Sequence, residues 1–573
     1  MNEQRSTARR LLDFFKRGGR RYAMPWLSIQ RWRKRFLLVA AALLAGFIAI
    51  LFAIGAELAI ETHHQWMTAA PWLTLIIAPL GFAAMTWLAR KFVPGTQGSG
   101  IPQALAASMT EDRRVKRKLL SFKIAISKVF LTLGGLLSGA SIGREGPSVQ
   151  IGASIMHMLA GRRKNRSVSS QDLIIAGSGA GVAAAFNTPL GGIMFAIEEM
   201  CRYRAFQANS TTLTSVIFAG LMSLGVLGTY TYFGRAAASL DWSNSLWPTL
   251  ICGVTGGLLG GLFSRVLIAS SRGLPGRVGE FSTSRPVMFA AACGLGTAIV
   301  GLASGGLTYG TGYAETKSAL EGTAQLPMYF LIAKLLVIWL AFMSRIPGGV
   351  FAPALAVGAG LGANVAMFLP PEQATAILTL GMVAFLAGMT QTPITSFVIV
   401  MEMTANHHML IPLMAAAVIA HGFSRSVCPI PLYHALAHAT LRKVQAEVRA
   451  ELTAARAANP QTVMGGGVAH TEMGMERKPA AAADTPEAPP TPATRPDSTT
   501  TGATTTGATT TGATTTGATT SGATTSVSST ADASPATSST RESESSQAES
   551  TTADRDGDDT LPARTTPARP GDA

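Results

Sequence analysis

From residue 36 to about residue 423 the chain is a succession of apolar segments, and no other feature limits its possible folds as strongly. A helix needs roughly 20 apolar residues to cross a bilayer. Only 14% of the residues are charged, against about a quarter in an ordinary soluble protein. The sequence therefore predicts an all-α polytopic membrane protein and excludes a soluble globular enzyme. The candidate full-length spans are 36–60, 72–89, 119–140, 211–233, 247–268 and 286–302.

Other apolar segments are too short to span, or are broken by glycine and proline. Irregular backbone at membrane depth persists only inside protein or along a water-filled cavity. Such segments therefore indicate where a permeating substrate is held. They are 147–159, 173–186, 189–200, 350–368, 377–389 and 393–403.

The chain repeats itself. Three residues recur 206 positions later (334 − 128): Lys128, Pro147 and Gly152 return as Lys334, Pro353 and Gly358. Further along, Thr188 and Glu198 return as Thr392 and Glu402 after 204 positions (392 − 188). Broken segments at matched places in two halves predict a duplicated transport protein whose site lies between the repeats. The repeats span roughly 36–233 and 247–436, and the spacing leaves open whether they are inverted.

The two ends of the chain differ from this apolar region. Residues 1–35 form a basic arm, 437–458 an amphipathic cytoplasmic helix, and 459–573 a Thr/Ala/Gly/Pro-rich tail that we expect to be disordered. The net charge is +15, but the basic residues stand in short runs beside apolar segments. Such runs mark cytoplasmic loops, and we expect no nucleic-acid partner. The four cysteines are isolated from one another, so neither disulfides nor a metal site is expected.

Three glycine-rich motifs interrupt the apolar chain: GSGIP from Gly98, GREGP from Gly143 and GGVFAP from Gly348. In each, a proline stands where the first turn of a helix can accept it. Each motif should therefore start a helix whose free N–H groups face the preceding turn. Helix starts that converge at mid-membrane make an anion site, because the amides donate and the dipoles add partial positive charge.

Four groups are candidate donors to this anion: the hydroxyls of Ser99 and Tyr433, and the main-chain amides of Val350 and Phe351. A full buried cation would hold an anion too tightly, whereas permeation needs moderate binding at successive positions. The sequence therefore favours a site built from backbone dipoles and hydroxyls.

Glutamates at segment boundaries are the candidate proton carriers. Glu145 stands in a glycine-lined apolar turn, and an intramembrane carboxylate is a functional candidate by default. At the anion site its ionised form would compete with the anion for the same donors, while its protonated form would not. Glu198 and Glu199 diverge by about 100° on a helix. Only Glu198 has a repeat partner, which is Glu402. We therefore interpret Glu198 and Glu402 as structural residues and Glu199 as the proton relay.

With these motifs in hand, the sequence resembles the CLC family of chloride channels and chloride/proton antiporters over roughly residues 36–436. The resemblance rests on GSGIP, GREGP, the GxFxP pattern from Gly349 to Pro353, and PLY from Pro431 to Tyr433. It implies an inverted-repeat fold with broken and re-entrant helices, and a homodimer with one ion pathway in each subunit. It also implies a bacterial-type protein of the cell (inner) membrane with both termini cytoplasmic. No stretch after Leu436 has the α/β pattern of paired CBS domains, so we expect none.

The same resemblance implies that the four donors named above hold the central chloride. Glu145 matches the gating glutamate and Glu199 the internal proton glutamate of the family's antiporters. Ser99 fits a preference for chloride over nitrate. We therefore expect chloride/proton exchange without a cofactor or enzymatic activity. The alternatives are a passive channel of the same fold, an intramembrane enzyme, for which no GxSxG or HExxH motif is present, and a membrane anchor for the tail.

Overall fold

The computed structural model describes residues 29–161, 169–202, 210–228, 231–234, 240 and 242–458. Most of the predicted basic arm (residues 1–28) and all of the predicted tail (459–573) lie outside them. The helices are α1 (Ile29–Ala69), α2 (Thr74–Phe92), α3 (Ile101–Ser108), α4 (Arg113–Leu119), α5 (Phe122–Leu137), α6 (Glu145–Gly161), α7 (Ser170–Phe186), α8 (Pro189–Glu198), α9 (Ser210–Leu227), α10 (Trp242–Arg272), α11 (Gly276–Ser284), α12 (Pro286–Ala303), α13 (Tyr313–Leu320), α14 (Phe330–Met343), α15 (Phe351–Ala366), α16 (Ala374–Thr390), α17 (Pro393–Thr404), α18 (Leu410–Val427) and α19 (Leu432–Ala458).

Regular structure in these ranges is helical, which confirms the all-α prediction. No strand occurs among the described residues, where the recorded extended pairing is one isolated bridge between Gly143 and Gly349. Seven helical segments are long and apolar enough to cross a membrane: Arg35–Ala69, Pro71–Phe92, Arg113–Leu137, Ser245–Arg272, Pro286–Ala303, Pro371–Thr390 and His407–Val427.

Three assignments of membrane spans need correction. The segment expected at 211–233 is shorter, because helix α9 ends before Gly228, whose φ of +77° an L-residue rarely adopts. The segment expected to be short at 377–389 is long enough to span, since a 3₁₀ turn precedes α16. The span His407–Val427 was missed, because polar residues, including His421, dilute its apolar pattern.

The two repeats are visible in the backbone. Helices α7 and α16 both end on a left-handed residue, Asn187 at φ 57° and Gln391 at φ 59°, 204 positions apart (391 − 187). A threonine and a proline follow each, and the prolines begin α8 and α17. The chain thus makes the same uncommon turn at equivalent points of both halves.

The repeats also hold each other through reciprocal helix caps. The Glu402 carboxylate accepts the first two N–H groups after Pro189, at 3.1 and 2.6 Å. The Glu198 carboxylate accepts the first two N–H groups after Pro393, also at 3.1 and 2.6 Å. Each glutamate therefore caps the helix of the opposite repeat, which agrees with their predicted structural role and indicates a local two-fold relation.

The interrupted helices lie inside the protein. Almost every residue of α7 and α16 is buried. Each packs closely on the helix before it, because glycine pairs let the backbones meet: a Cβ at Gly152 would overlap the carbonyl of Gly177, and Gly358 meets Gly381 in the same way. Long helices such as α1, α2 and α10 instead expose large apolar side chains, as lipid-facing helices do.

Candidate functional site

The three glycine motifs converge. Gly143 and Gly349 exchange two main-chain hydrogen bonds, each 2.7 Å long. The N–H of Gly348 donates to the carbonyl of Gly98 at 3.4 Å. A Cβ added at Gly146 would overlap Ser99, so the first two motifs lie in direct contact. The starts of helices α3, α6 and α15 therefore meet at one place, as the motifs predict.

A buried lysine holds the first motif in place. The Lys128 ammonium donates to the carbonyl of Gly98 at 3.0 Å and its side chain is fully buried. Its repeat partner Lys334 donates to the carbonyls of residues 308, 309 and 310 at 2.9, 3.2 and 3.1 Å. The sequence identified these lysines only as a repeat match. Lys128 supports the turn that carries Ser99 but does not line the cavity described next.

A cavity of about 450 Å³ reaches the converging turns, and Ser99, Val350 and Tyr433 line it. The hydroxyls of Ser99 and Tyr433 are buried and have no hydrogen-bond partner in the part of the chain that the structure describes. The N–H groups of Val350 and Phe351 likewise donate to no other described group. Buried polar groups are normally paired, so unused donors collected around one space indicate a ligand that accepts hydrogen bonds.

Glu145 lies at the same helix start. It is 1% exposed, and neither carboxylate oxygen accepts a hydrogen bond from a described residue. Its carboxylate lies beside the N–H of Ala352, in the first turn of α15. Arg144 points elsewhere: its Nη1 donates to the carbonyl of Ala53 at 2.7 Å and to Glu57 Oε1 at 3.1 Å. The recorded ion pair of Arg144 is therefore with Glu57 on helix α1.

Glu199 is the second buried acid. It follows the last residue of α8, is 1% exposed, and its carboxylate oxygens accept no hydrogen bond from the described residues. Glu198 turns away to cap α17, so the predicted divergence of the two side chains is observed. Tyr433 lies within electrostatic reach of both Glu145 and Glu199. Tyr433, which lines the cavity, is thus within electrostatic reach of two buried carboxyls that accept no hydrogen bond from a described residue.

His434 is the residue near these groups that the sequence reasoning missed. It follows Tyr433 and lies against Glu199. A histidine directly after the Pro-Leu-Tyr motif was the available signal. Among the described residues there is no cluster of three or more His, Cys, Asp or Glu that could hold a metal ion.

Duplicated broken helices around a donor-lined cavity define a polytopic membrane protein of the ion-transport class. Residues 80–425 match the voltage gated chloride channel family. ClcA of Cronobacter sakazakii (strain ATCC BAA-894), an H(+)/Cl(−) exchange transporter, is 31% identical over 468 residues, which cover 76% of this chain and 96% of that protein. The chain belongs to the voltage gated chloride channel (CLC) family.

Solved structures agree with this membership. A slow cyanobacterial Cl−/H+ antiporter superposes with a TM-score of 0.61 at 25% identity, covering 71% of this chain and 98% of its own. A CLC-type fluoride/proton antiporter shares the fold, with a TM-score of 0.60 at 21% identity, over 70% of this chain and 96% of its own. A eukaryotic CLC transporter has a TM-score of 0.56 at 19% identity, over 70% of this chain and 74% of its own. The predicted CLC-type fold is confirmed, and the chain is a multi-pass membrane protein.

Proposed function

We propose that this chain exchanges chloride for protons across a membrane. The observation that carries the proposal is the meeting of two unpaired hydroxyls, free helix-start amides and an unpaired carboxylate at one buried place. The relative of which the chain covers 96% is named an H(+)/Cl(−) exchange transporter. One structural neighbour is a Cl−/H+ antiporter. Both names support exchange over a passive channel.

In this proposal chloride binds between the hydroxyls of Ser99 and Tyr433 and the N–H groups of Val350 and Phe351. These groups carry partial charges only, and the helix starts add the positive end of their dipoles. Binding is then strong enough to dehydrate chloride and weak enough to release it.

Protons move through the two acids. The ionised Glu145 carboxylate takes the donors at the start of α15, beside the N–H of Ala352, and so excludes chloride. Protonation removes its charge and lets the anion enter. Glu199 loads or unloads the proton at the other end of the route. Because one place alternates between chloride and carboxylate, the two fluxes are coupled.

The assembly and location are inferred from the family resemblance, and the boundaries of the arm, helix and tail from the sequence pattern. We infer a homodimer with a separate pathway in each subunit, located in the bacterial inner membrane with both termini cytoplasmic. The transport domain spans residues 36–436, preceded by the basic arm (1–35) and followed by a cytoplasmic helix (437–458) and the Thr-rich tail (459–573). Transport needs no cofactor or metal, and the chain has no enzymatic activity.

The reversal potential of reconstituted vesicles tests this proposal. Chloride and proton fluxes are recorded from the same vesicles under opposed chloride and pH gradients. Exchange predicts that the reversal potential depends on both gradients, and that a chloride gradient drives protons uphill. A passive chloride channel predicts a reversal potential that follows chloride alone, and that result would contradict the proposal.

A further inference from the structure

His434 follows the cavity-lining Tyr433 and contacts Glu199, the second buried acid. It is the third residue of helix α19 and is 2% exposed. Its Nε2 is 3.1 Å from the main-chain oxygen of Glu199 and 3.8 Å from Glu199 Oε1. The two residues are 235 positions apart in the chain, so this contact joins the first repeat to the end of the transport domain.

The chemistry of this contact determines which atom donates the hydrogen bond. A carbonyl oxygen can only accept a hydrogen bond, so Nε2 carries a hydrogen and donates it. Glu199 follows the last residue of α8, and the last carbonyls of a helix have no partner within it. The imidazole therefore supplies the partner that the end of α8 lacks. At 3.8 Å the carboxylate is too far for a normal hydrogen bond, so Glu199 is held by its backbone while its acid group stays available.

Tyr433 and His434 are adjacent in the chain, and together they link the proposed chloride site to Glu199. Successive residues of a helix point about 100° apart. Tyr433 faces the anion cavity, and His434 faces Glu199. The first turn of α19 is fixed at its start, where the N–H of Ala435 donates to the carbonyl of Pro431 at 3.0 Å. One rigid turn therefore sets where Glu199 lies relative to the tyrosine hydroxyl.

We propose that His434 is a positioning residue for proton transport: its Nε2–H fixes the backbone of Glu199 and so places the carboxyl within reach of the proton route. The proposal rests on the proposed function, in which Glu199 carries protons. Arg202 and His438 also act electrostatically on His434. The hydrogen bond does not depend on their charge, because a neutral imidazole with its hydrogen on Nε2 already donates.

Three variants in reconstituted vesicles test the proposal. His434→Ala removes the donor, His434→Gln places an amide N–H near the position of Nε2, and His438→Ala removes an exposed histidine one turn further along α19. Displacing a reacting group by about 1 Å costs up to about 100-fold. We therefore expect His434→Ala to lower the ratio of proton to chloride flux at least about tenfold with chloride flux retained. His434→Gln should restore most of that ratio, and His438→Ala should leave it unchanged.

Three results would overturn the proposal. The first is a His434→Ala variant that keeps the wild-type ratio of proton to chloride flux. The second is a His434→Gln variant whose ratio falls as far as that of His434→Ala. The third is a His434→Ala variant that loses chloride flux and proton flux together. The wild-type protein is measured first. If it moves no protons, the proposed exchange fails, whereas a coupled wild type with an unaffected His434→Ala variant defeats this inference alone.

Discussion

Replacing Glu402 by glutamine should lower the stability of the protein without uncoupling transport. Its carboxylate accepts two main-chain N–H groups at the start of α8, at 3.1 and 2.6 Å. Glutamine has a single acceptor oxygen, and its amide would turn a donor toward the second N–H. The variant therefore loses one bond to a charged group and the favourable charge at a helix start.

The size of the effect follows from these two losses. A hydrogen bond to a charged group contributes about 1.5–3 kcal/mol, and a negative charge at a helix N-terminus contributes roughly 0.3–1 kcal/mol. Because Glu402 is only partly buried, we take the lower part of each range. The free energy of unfolding should then fall by about 2 kcal/mol.

Denaturant unfolding in detergent micelles, followed by tryptophan fluorescence, measures this change. Glu372→Gln is the matched control, since it removes an exposed glutamate and surface substitutions usually change stability by less than about 0.5 kcal/mol. Equal stability of the Glu402 and Glu372 variants would refute the capping role. Loss of proton coupling at unchanged stability would show instead that Glu402 belongs to the proton route.

Three further substitutions test the site. Glu145→Ala should leave chloride flux but abolish proton coupling, because no carboxylate remains to compete with the anion; uphill proton pumping by this variant would contradict the mechanism. Glu199→Gln should stop proton movement while chloride still passes, and paired flux recordings with an unchanged proton-to-chloride ratio would exclude Glu199 as the relay. Tyr433→Ala should weaken chloride binding about tenfold, the effect of losing roughly 1.4 kcal/mol from one hydrogen bond; calorimetry that finds unchanged affinity would remove the hydroxyl from the site.

The fold class and the converging motifs could be predicted because their signals are local. Gly143 and Gly349 stand in motifs whose glycines and prolines dictate a helix start, and the repeat spacing places these starts at equivalent points. The structural interpretation of Glu198 and Glu402 followed from the same comparison, since both halves keep that position. Short motifs and the comparison of the two halves carried all of this information.

Contacts between distant segments could not be predicted. The acceptor of His434 lies 235 positions away, and no local pattern names it. The N–H groups that donate to Glu402 belong to the other repeat. The sequence therefore indicated a structural role for Glu402 but not the helix that it caps. The length of α9 was overestimated because aromatic residues up to Phe233 extend the segment in the sequence past Gly228, where the backbone turns. Contacts and backbone turns in the folded protein, rather than composition, determine these partners and this helix end.

Bromide in place of chloride, located by its anomalous scattering in crystals of the Glu145→Gln variant, gives the most direct test of the central claim. Bromide is close to chloride in size and charge, and the variant cannot present a carboxylate. We predict a peak within hydrogen-bond distance of Ser99 Oγ and Tyr433 Oη and next to the N–H groups of Val350 and Phe351. Bromide bound elsewhere in the membrane region, with that space empty, would contradict the claim that these donors form the chloride site.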